Sequence, residues 1–501
     1  MLDNEISWLL DCEPRPAQIE ALHRSYRGVV KKDHKDAEDN PRFLPHAGGP
    51  AGGWGHFMQM RVGKTPTVLN EFMLFKRDHG INKMLVVAPA RYRDTWATEI
   101  QRFGVDVPAH VHAANNDKAT RVFVKNSSRE GAVLVANYQA LVGQRGREML
   151  GSFVDNRTMV VFDESVALKN PNGVPFRNGL VVAKECAIIR ELTGLPAPQS
   201  PADLWSQLRM IRGIEGVNFF QFRNKFCVMG GFKGKQVLRK IKNAEALDEL
   251  LDRHTFRAKR VDWGTMIDSD YDKIKVGMLP AQIKAYNEME KHFVVWLDSE
   301  TSISVEQVIT KHMKMQQIAA GFVYTQLGEI VELAPLEKTP KFLDLKERLD
   351  NELSCKVIVI AHYSHTVLSL HKALGASHNA AIITGQQHMK HLALNAEEEK
   401  HRFNNDPGCR VMIGQSTAIK YGHTLMGNAG DPCLAVCFFE NNYNLDDRLQ
   451  SEERPQGEGQ QGSIYIWDYY TNRLEEDIVR SLQEKKEIAG VIMGHYRKGL
   501  Q

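Results

Sequence analysis

Nine short apolar runs, each bounded by polar or turn-forming residues, set the pattern of the chain. Four come early: "MLVVAPA" (84–90), "AVLVANY" (132–138), "MVVFDES" (159–165) and "AIIRELTG" (187–194). Five come late: "KVIVIAHYS" (356–364), "AAIITG" (380–385), "RVMIGQS" (410–416), "LAVCFFE" (434–440) and "SIYIWDYY" (463–470). Near-continuous Val, Ile and Leu runs alternating with amphipathic stretches predict parallel strands covered by helices on both faces. Two such sets predict two α/β lobes. Residues between them read differently, with helical periodicity in "AQIKAYNEMEKHFVVWL" (281–297) and "VEQVITKHMKMQQIAAGFV" (305–323). Basic residues gather there, in "KGKQVLRKIKN" (233–243) and "FRAKR" (256–260). The expected organisation is a first lobe over 1–196, a helical insertion over 197–335 and a second lobe over 336–501.

Composition narrows this picture only a little. A length of 501 residues exceeds one ordinary core, and a hydrophobic content of 43% with 25% charged residues is that of a globular protein. No run of 18 apolar residues occurs, and the acidic start "MLDNEISWLLDCEPRP" lacks the basic region of a signal peptide. A cytoplasmic location is therefore expected. The seven cysteines are scattered, with only Cys433 and Cys437 close together, which favours reduced buried thiols over a zinc site. Among the histidines, His362, His365, His378, His388 and His391 show no metal-ligand spacing. Met313 and Met315 sit on an expected packing helix, where Met fills gaps. A net charge of +3 permits a polyanionic partner without demanding one.

Candidate chemistry begins at "FMQMRVGKTPTVLNEF" (57–72), where Gly63-Lys64-Thr65 has the form of the end of a phosphate-binding loop. In such a loop backbone N–H groups converge on phosphates, the lysine adds a point charge and the hydroxyl ligates Mg²⁺. Pro66 suits the first turn of a helix whose N-terminus faces the anion. Met58 stands where the full pattern has its first glycine. About a hundred residues later an apolar strand ends in Asp163-Glu164. One carboxylate there can hold Mg²⁺, the second can orient or deprotonate an attacking water.

With these residues in view, the chain resembles the superfamily 2 helicases and translocases, and within them the Swi/Snf-like branch, in a compact form such as bacteriophages carry. "EPRPAQ" (13–18) resembles the segment in which Gln18 would contact adenine, and "LVVAPARYRDTWATEI" (85–100) resembles motif Ia, with Pro89 and Trp96 in family positions. "FDESVALKN" (162–170) is similar to the Asp-Glu-x-His-x-x-Lys-Asn signature, and "LTGLPAPQSPADLWSQL" (192–208) to the Leu-Thr-Gly-Thr-Pro motif III. In the second lobe "GQSTAIKYGHTL" (414–425) resembles motif V, "QSEERPQGEGQ" (450–460) motif VI, and "TNRLEEDIVRSLQEKKEIA" (471–489) the closing helix.

The resemblance implies an α/β fold of two tandem RecA-like lobes with a helical insertion between them, and ATP with Mg²⁺ as cofactors. It implies Lys64, Asp163, Glu164 and Arg454 as catalytic residues, with Gln18, Gly63, Lys64, Thr65 and Arg454 binding nucleotide and Thr65 and Asp163 holding the metal. DNA would lie against Arg91, Arg93, Thr193 and Thr417. The implied activity is ATP-dependent translocation or unwinding of DNA, in phage or bacterial replication, recombination or branched-DNA processing. Two alternatives stay open: an RNA-directed motor, and an ATP-binding clamp that turns over poorly. The clamp is raised by departures from the family pattern. Arg61 takes a loop glycine's place, Val166 the histidine's, Leu195 a motif III threonine's, and Gly457 the place of the second motif VI arginine. Arg454 would then be the finger, or Arg448 would reach in from upstream.

Overall fold

The computed structural model describes residues 7–27, 52–113, 117–127, 131–230, 237–260, 268–298, 305–325, 327–420, 424–457 and 462–493. The chain divides into two compact units, one of Met1–Met266 with Lys485–Gln501 and the other of Ile267–Glu484.

The first unit is built on a seven-stranded sheet. Its strands are β1 (Gly53–Met58), β2 (Lys83–Ala88), β3 (Ala109–Val111), β4 (Ala132–Asn137), β5 (Thr158–Asp163), β6 (Ile188–Thr193) and β9 (Thr255–Ala258), in the order β3-β4-β2-β5-β6-β1-β9. Every pairing is parallel. The hairpin β7 (Cys227–Gly230) and β8 (Val237–Ile241) stands apart from it. Alternate residues feed two cores, one on each face: Leu85, Val87, Val160 and Phe162 on one side, Met84, Val86, Met159 and Val161 on the other. Three helices matter below: α1 (Pro16–Arg27), α2 (Lys64–His79) and α3 (Arg93–Arg102).

The second unit repeats the scheme. β10 (Ser269–Lys275), β13 (Lys356–Ala361), β14 (Ala381–Ile383), β15 (Val411–Gln415), β17 (Asp431–Phe438) and β18 (Ile464–Tyr470) form a parallel sheet in the order β10-β18-β17-β13-β15-β14. β16 (Gly427–Asn428) adds antiparallel to β17, and β11 (Phe322–Tyr324) pairs with β12 (Ile330–Glu332). All nine expected strands form, and the fold is α/β with two parallel-sheet lobes. Expected helices appear at Pro280–Asp298 and Val305–Ala320. Residues 197–335 also supply β9 to the first sheet and β10 to the second.

The "FRAKR" segment is no solvated basic face: it contains β9, where Arg257 is 4% exposed and pairs with Asp248 (2.7 Å) and Asp252 (2.6 Å), and Arg260 is also buried. The Arg257 guanidinium is used in packing a sheet edge against the helix Ala244–His254. In the other basic stretch, residues 231–236 lie outside the described residues, while Lys240 and Lys242 are exposed.

Charge also enters the first core itself. Arg190 on β6, fully buried, donates from Nη2 and Nε to the two oxygens of Glu71 on α2 (2.7 and 2.9 Å), and His56 of β1 reaches the same carboxylate (3.2 Å). Burial alone would raise the Glu71 pKa, but Arg190 and His56 hold it below the usual carboxylate range.

Its neighbour on the opposite face is different. Glu191 is fully buried with neither carboxyl oxygen partnered among the described residues, and burial pushes its pKa well above the usual carboxylate range, which disfavours its charged form. A raised folded-state pKa means its contribution to stability is intact below the unfolded value, about 4.5, and is lost as pH rises toward the folded value. Glu191→Leu is expected to stabilise the protein by ~1–3 kcal/mol near neutral pH. The gain should be smaller at about pH 5 than at about pH 8 in chemical denaturation; an equal or larger gain at the acidic pH would mean that Glu191 has an unseen partner.

Candidate nucleotide site

In the first unit β1 runs out into the loop that opens α2, at the C-terminal edge of a parallel sheet where ligands bind in such folds. The loop turns through two left-handed residues, Arg61 (φ 66°) and Gly63 (φ 102°). At position 63 a side chain would be strained by the positive φ, and its Cβ would lie 2.3 Å from Gln18 Nε2, so the glutamine would have to give up its place against the loop. Arg61 adopts the same half of φ space without being glycine, which accounts for the glycine usual at its place.

Gln18, on α1 and 3% exposed, braces the loop: Oε1 accepts from Arg15 N–H (2.6 Å) and Nε2 donates to the Gly63 carbonyl (3.2 Å). One amide N–H and one lone pair are left for a base. Lys64 and Thr65 open α2, whose first N–H groups have no intrahelical partner. Lys64 Nζ donates to the Met58 carbonyl (2.9 Å) and so lies over the loop rather than away from it. The Thr65 hydroxyl faces the carboxylate of Glu99 on α3 and favours its charged form.

Asp163 closes β5, two strands away in the sheet order. Its Oδ2 accepts from the Trp96 indole N–H (2.8 Å), its Oδ1 from the Glu164 N–H (3.0 Å), and its carbonyl from the Tyr138 hydroxyl (2.8 Å). Burial raises the Asp163 pKa, against which the Trp96 bond and the nearby Lys64 charge work. That last interaction places the loop lysine and the strand-end acid in one electrostatic site. Glu164 follows in the left-handed region (φ 49°), which turns its side chain out of the strand's alternation. Glu99 is likewise raised by burial and eased by Thr65.

Among the described residues no group of three or more His, Cys, Asp or Glu could cage a metal alone. The donors suit Mg²⁺ nonetheless, since it takes few protein ligands and completes its shell with phosphate and water. Thr65 and Asp163 each keep free lone pairs after the bonds above. The residues therefore fit a Mg²⁺-nucleotide.

Motif III is tied to this edge. Thr193 ends β6, buried, its Oγ1 accepting from Leu195 N–H (3.1 Å). Ser165 bonds Gln207 (3.0 Å), whose Nε2 donates to the Pro196 carbonyl (2.5 Å), so a glutamine links the acid motif to motif III. Val166 is half-buried and brings no polar group. Arg93 begins α3, its guanidinium donating to the carbonyls of Ala90 (3.1 Å) and His112 (2.5 Å). Arg91 lies in the turn Ala90–Tyr92, and its side chain lies outside the described residues.

In the second unit Thr417 is exposed in the helical turn Ser416–Ile419 that follows β15. Residues 421–423 of motif V and 458–460 of motif VI lie outside the described residues. Arg454 is 2% exposed and its Nε donates to the Gln450 carbonyl (2.6 Å). The idea that Arg448 could serve as the finger is corrected: its guanidinium is held by Asp468, Glu452 and Asn441 and lies 3.6 Å over the Phe438 ring. Burial would lower its pKa, but Asp468 and Glu452 hold it above the usual value, and the side chain is committed to the lobe's interior.

Sequence reading missed Glu99, Tyr138 and Gln207. Glu99 stands three residues after Trp96, on the same helix face, and that spacing was the available signal.

Comparison with known proteins completes this picture. The SNF2-related domain matches residues 55–321, more than half of the chain. The fruit-fly "SWI/SNF-related matrix-associated actin-dependent regulator of chromatin subfamily A-like protein 1" is 24% identical over 88% of this chain and 54% of its own length. Human "DNA annealing helicase and endonuclease ZRANB3" is 22% identical over 88% of this chain and 39% of its own. "Putative protein p41" of Acyrthosiphon pisum secondary endosymbiont phage 1 is 26% identical over 64% of this chain and 70% of its own. The chain spans about half the length of the first two curated relatives it matches, the fly protein and its nematode homologue. Among solved structures, the "Sulfolobus solfataricus SWI2/SNF2 ATPase core in complex with dsDNA" aligns over 98% of this chain and 96% of that one, at 18% identity and a TM-score of 0.41. No described helix is long and apolar enough to cross a membrane. With its domain match, its two parallel-sheet lobes and its ordered motifs, the chain belongs to the SNF2-related family, the Swi/Snf-like branch of the superfamily 2 helicases and translocases.

Proposed function

We propose that this chain is a DNA-dependent ATPase that uses ATP hydrolysis to move along DNA, with duplex preferred over single strands and RNA. The observation that carries the reading is the joint presence, at one edge of the first sheet, of Lys64 at the start of α2 and Asp163-Glu164 at the end of β5, with Lys64 acting electrostatically on Asp163. Family membership and the name of the human relative, a DNA annealing helicase, support DNA as the track. The phage relative supports a phage or bacterial setting, in replication, recombination or branched-DNA processing.

In this reading Gly63, Lys64 and the free N–H groups of α2 hold the phosphates, and Gln18 offers its remaining amide hydrogen and lone pair to the base. Thr65 and Asp163 hold Mg²⁺, which when bound draws charge from the phosphate oxygens during transfer. Glu164 takes the proton of the attacking water or orients it. Arg454 supplies positive charge to the transferring phosphoryl group, a role worth about 10³–10⁵ in rate where it has been assigned. Arg91, Arg93 and Thr417 contact the phosphate backbone, so binding is sequence-tolerant and weakens steeply with salt. Thr193, buried at the end of β6, is not placed to touch that backbone.

Steady-state ATP turnover measured with duplex DNA, single-stranded DNA and RNA tests this assignment. The expected result is stimulation largest with duplex and reduced by added salt. Equal or greater stimulation by RNA would replace the track, and ATP binding without turnover on any polymer would make the protein a clamp.

A further inference from the structure

The helix α3 touches both residues that would hold Mg²⁺. From its buried face Trp96 donates its indole N–H to Asp163 Oδ2 (2.8 Å), and one turn on the Glu99 carboxylate faces the Thr65 hydroxyl, which eases its burial. A threonine hydroxyl that gives its hydrogen to Glu99 presents only lone pairs elsewhere, and an aspartate whose Oδ2 is held by an indole keeps its plane fixed. Such outer partners orient metal ligands and set their affinity.

The same helix begins at the other proposed contact. Arg93 is its first residue, and its guanidinium clamps the carbonyls of Ala90 and His112, at the ends of the turn before α3 and of the chain leaving β3. Between Arg93 and Glu99 there are fewer than two helical turns, with Trp96 and Ile100 seated in the core. A phosphate that draws Arg93 away from those carbonyls therefore acts on a short rigid rod whose other groups grip Asp163 and Thr65.

We propose that Trp96 and Glu99 are positioning residues for the Mg²⁺ site, and that α3 passes nucleic-acid contact at Arg93 to it. This rests on the proposed ATPase reading and names how that site is regulated. It accounts for why one helix offers both a donor to the acid and an acceptor to the hydroxyl.

The test measures binding of a fluorescent ATP analogue with Mg²⁺ and with EDTA, with and without duplex DNA. It uses wild type, Glu99→Ala, Glu99→Gln, Trp96→Phe and Arg93→Ala. Wild type should bind more tightly with Mg²⁺, and duplex should lower the Mg²⁺ concentration needed. Glu99→Ala and Trp96→Phe should raise that concentration by roughly 10–100-fold while binding in EDTA stays unchanged, which also reports an intact fold. Glu99→Gln keeps an acceptor oxygen and should recover most of the loss. Arg93→Ala should keep the Mg²⁺ effect and lose the duplex effect on it. Unchanged Mg²⁺ dependence in Glu99→Ala, or equal loss in Glu99→Gln, overturns the positioning role. Retained duplex sensitivity in Arg93→Ala overturns the link. A wild type that binds no nucleotide at all would instead sink the ATPase reading itself.

Discussion

Lys64→Ala is expected to reduce ATP turnover by at least roughly 10²–10³-fold, the range found when a preorganised charge-stabilising donor is removed. Lys64 is the cation at the head of α2, it neighbours Asp163, and its Nζ already folds back over the loop to the Met58 carbonyl. The helix dipole and the loop N–H groups survive the substitution, so nucleotide binding weakens less than turnover does. DNA contacts lie on other residues, and DNA binding should be retained. Turnover and filter binding on the same preparation check this. Turnover unchanged by Lys64→Ala would remove the loop from the active site, whatever else the family pattern suggests.

Arg190→Met is expected to destabilise the first unit by about 3–5 kcal/mol, because it strands the Glu71 carboxylate in a water-free core. Arg190, Glu71 and His56 are all fully buried, and two of Arg190's nitrogens are spent on Glu71. The Glu71 pKa is depressed in the folded protein, so the network stabilises above the unfolded value, about 4.5, and its contribution is lost as pH falls below that. Glu71→Leu in the Arg190→Met background should recover much of the loss, since replacing both partners of a buried pair with apolar groups is often neutral. Denaturant unfolding of the two variants and the double variant measures the coupling. Additive losses would show that the two side chains do not act as a pair.

The network lies directly beneath the nucleotide site: Glu71 is seven residues after Lys64 on α2, His56 two before Met58, and Arg190 three before Thr193. It fastens β1, β6 and α2 together where the loop and motif III leave the sheet. A rigid base of this kind suits a site whose donors must be in place before the charge develops.

Legibility in the sequence followed the physics of each element. The nine buried strands were readable because both faces of a parallel strand are covered and the apolar run is unbroken. β1 was not, since "GWGHFM" carries two glycines and a histidine that packs against a charge rather than against water. β9 and β10 escaped because they are sheet edges, and "TFRA" and "SDYDKIK" read as charged loop. The loop and acid motifs were legible as local chemistry, including the odd Arg61, whose left-handed backbone explains why a glycine is usual at its place. What short motifs cannot display are partners distant in sequence. Trp96 was noticed for its family position, yet its bond to Asp163 spans 67 residues, and Glu99 drew no notice at all. Arg448 looked available as a free cation until burial and its carboxylate partners showed otherwise.

Displacement of a third strand from a DNA triplex tests the central claim most directly, because it reads movement along a duplex without requiring strand separation. Wild type with ATP and Mg²⁺ is predicted to release the third strand, with Lys64→Ala and the nonhydrolysable analogue both inactive. Duplex-stimulated ATP turnover with no strand released would contradict the account, leaving an ATPase that grips DNA and does not travel.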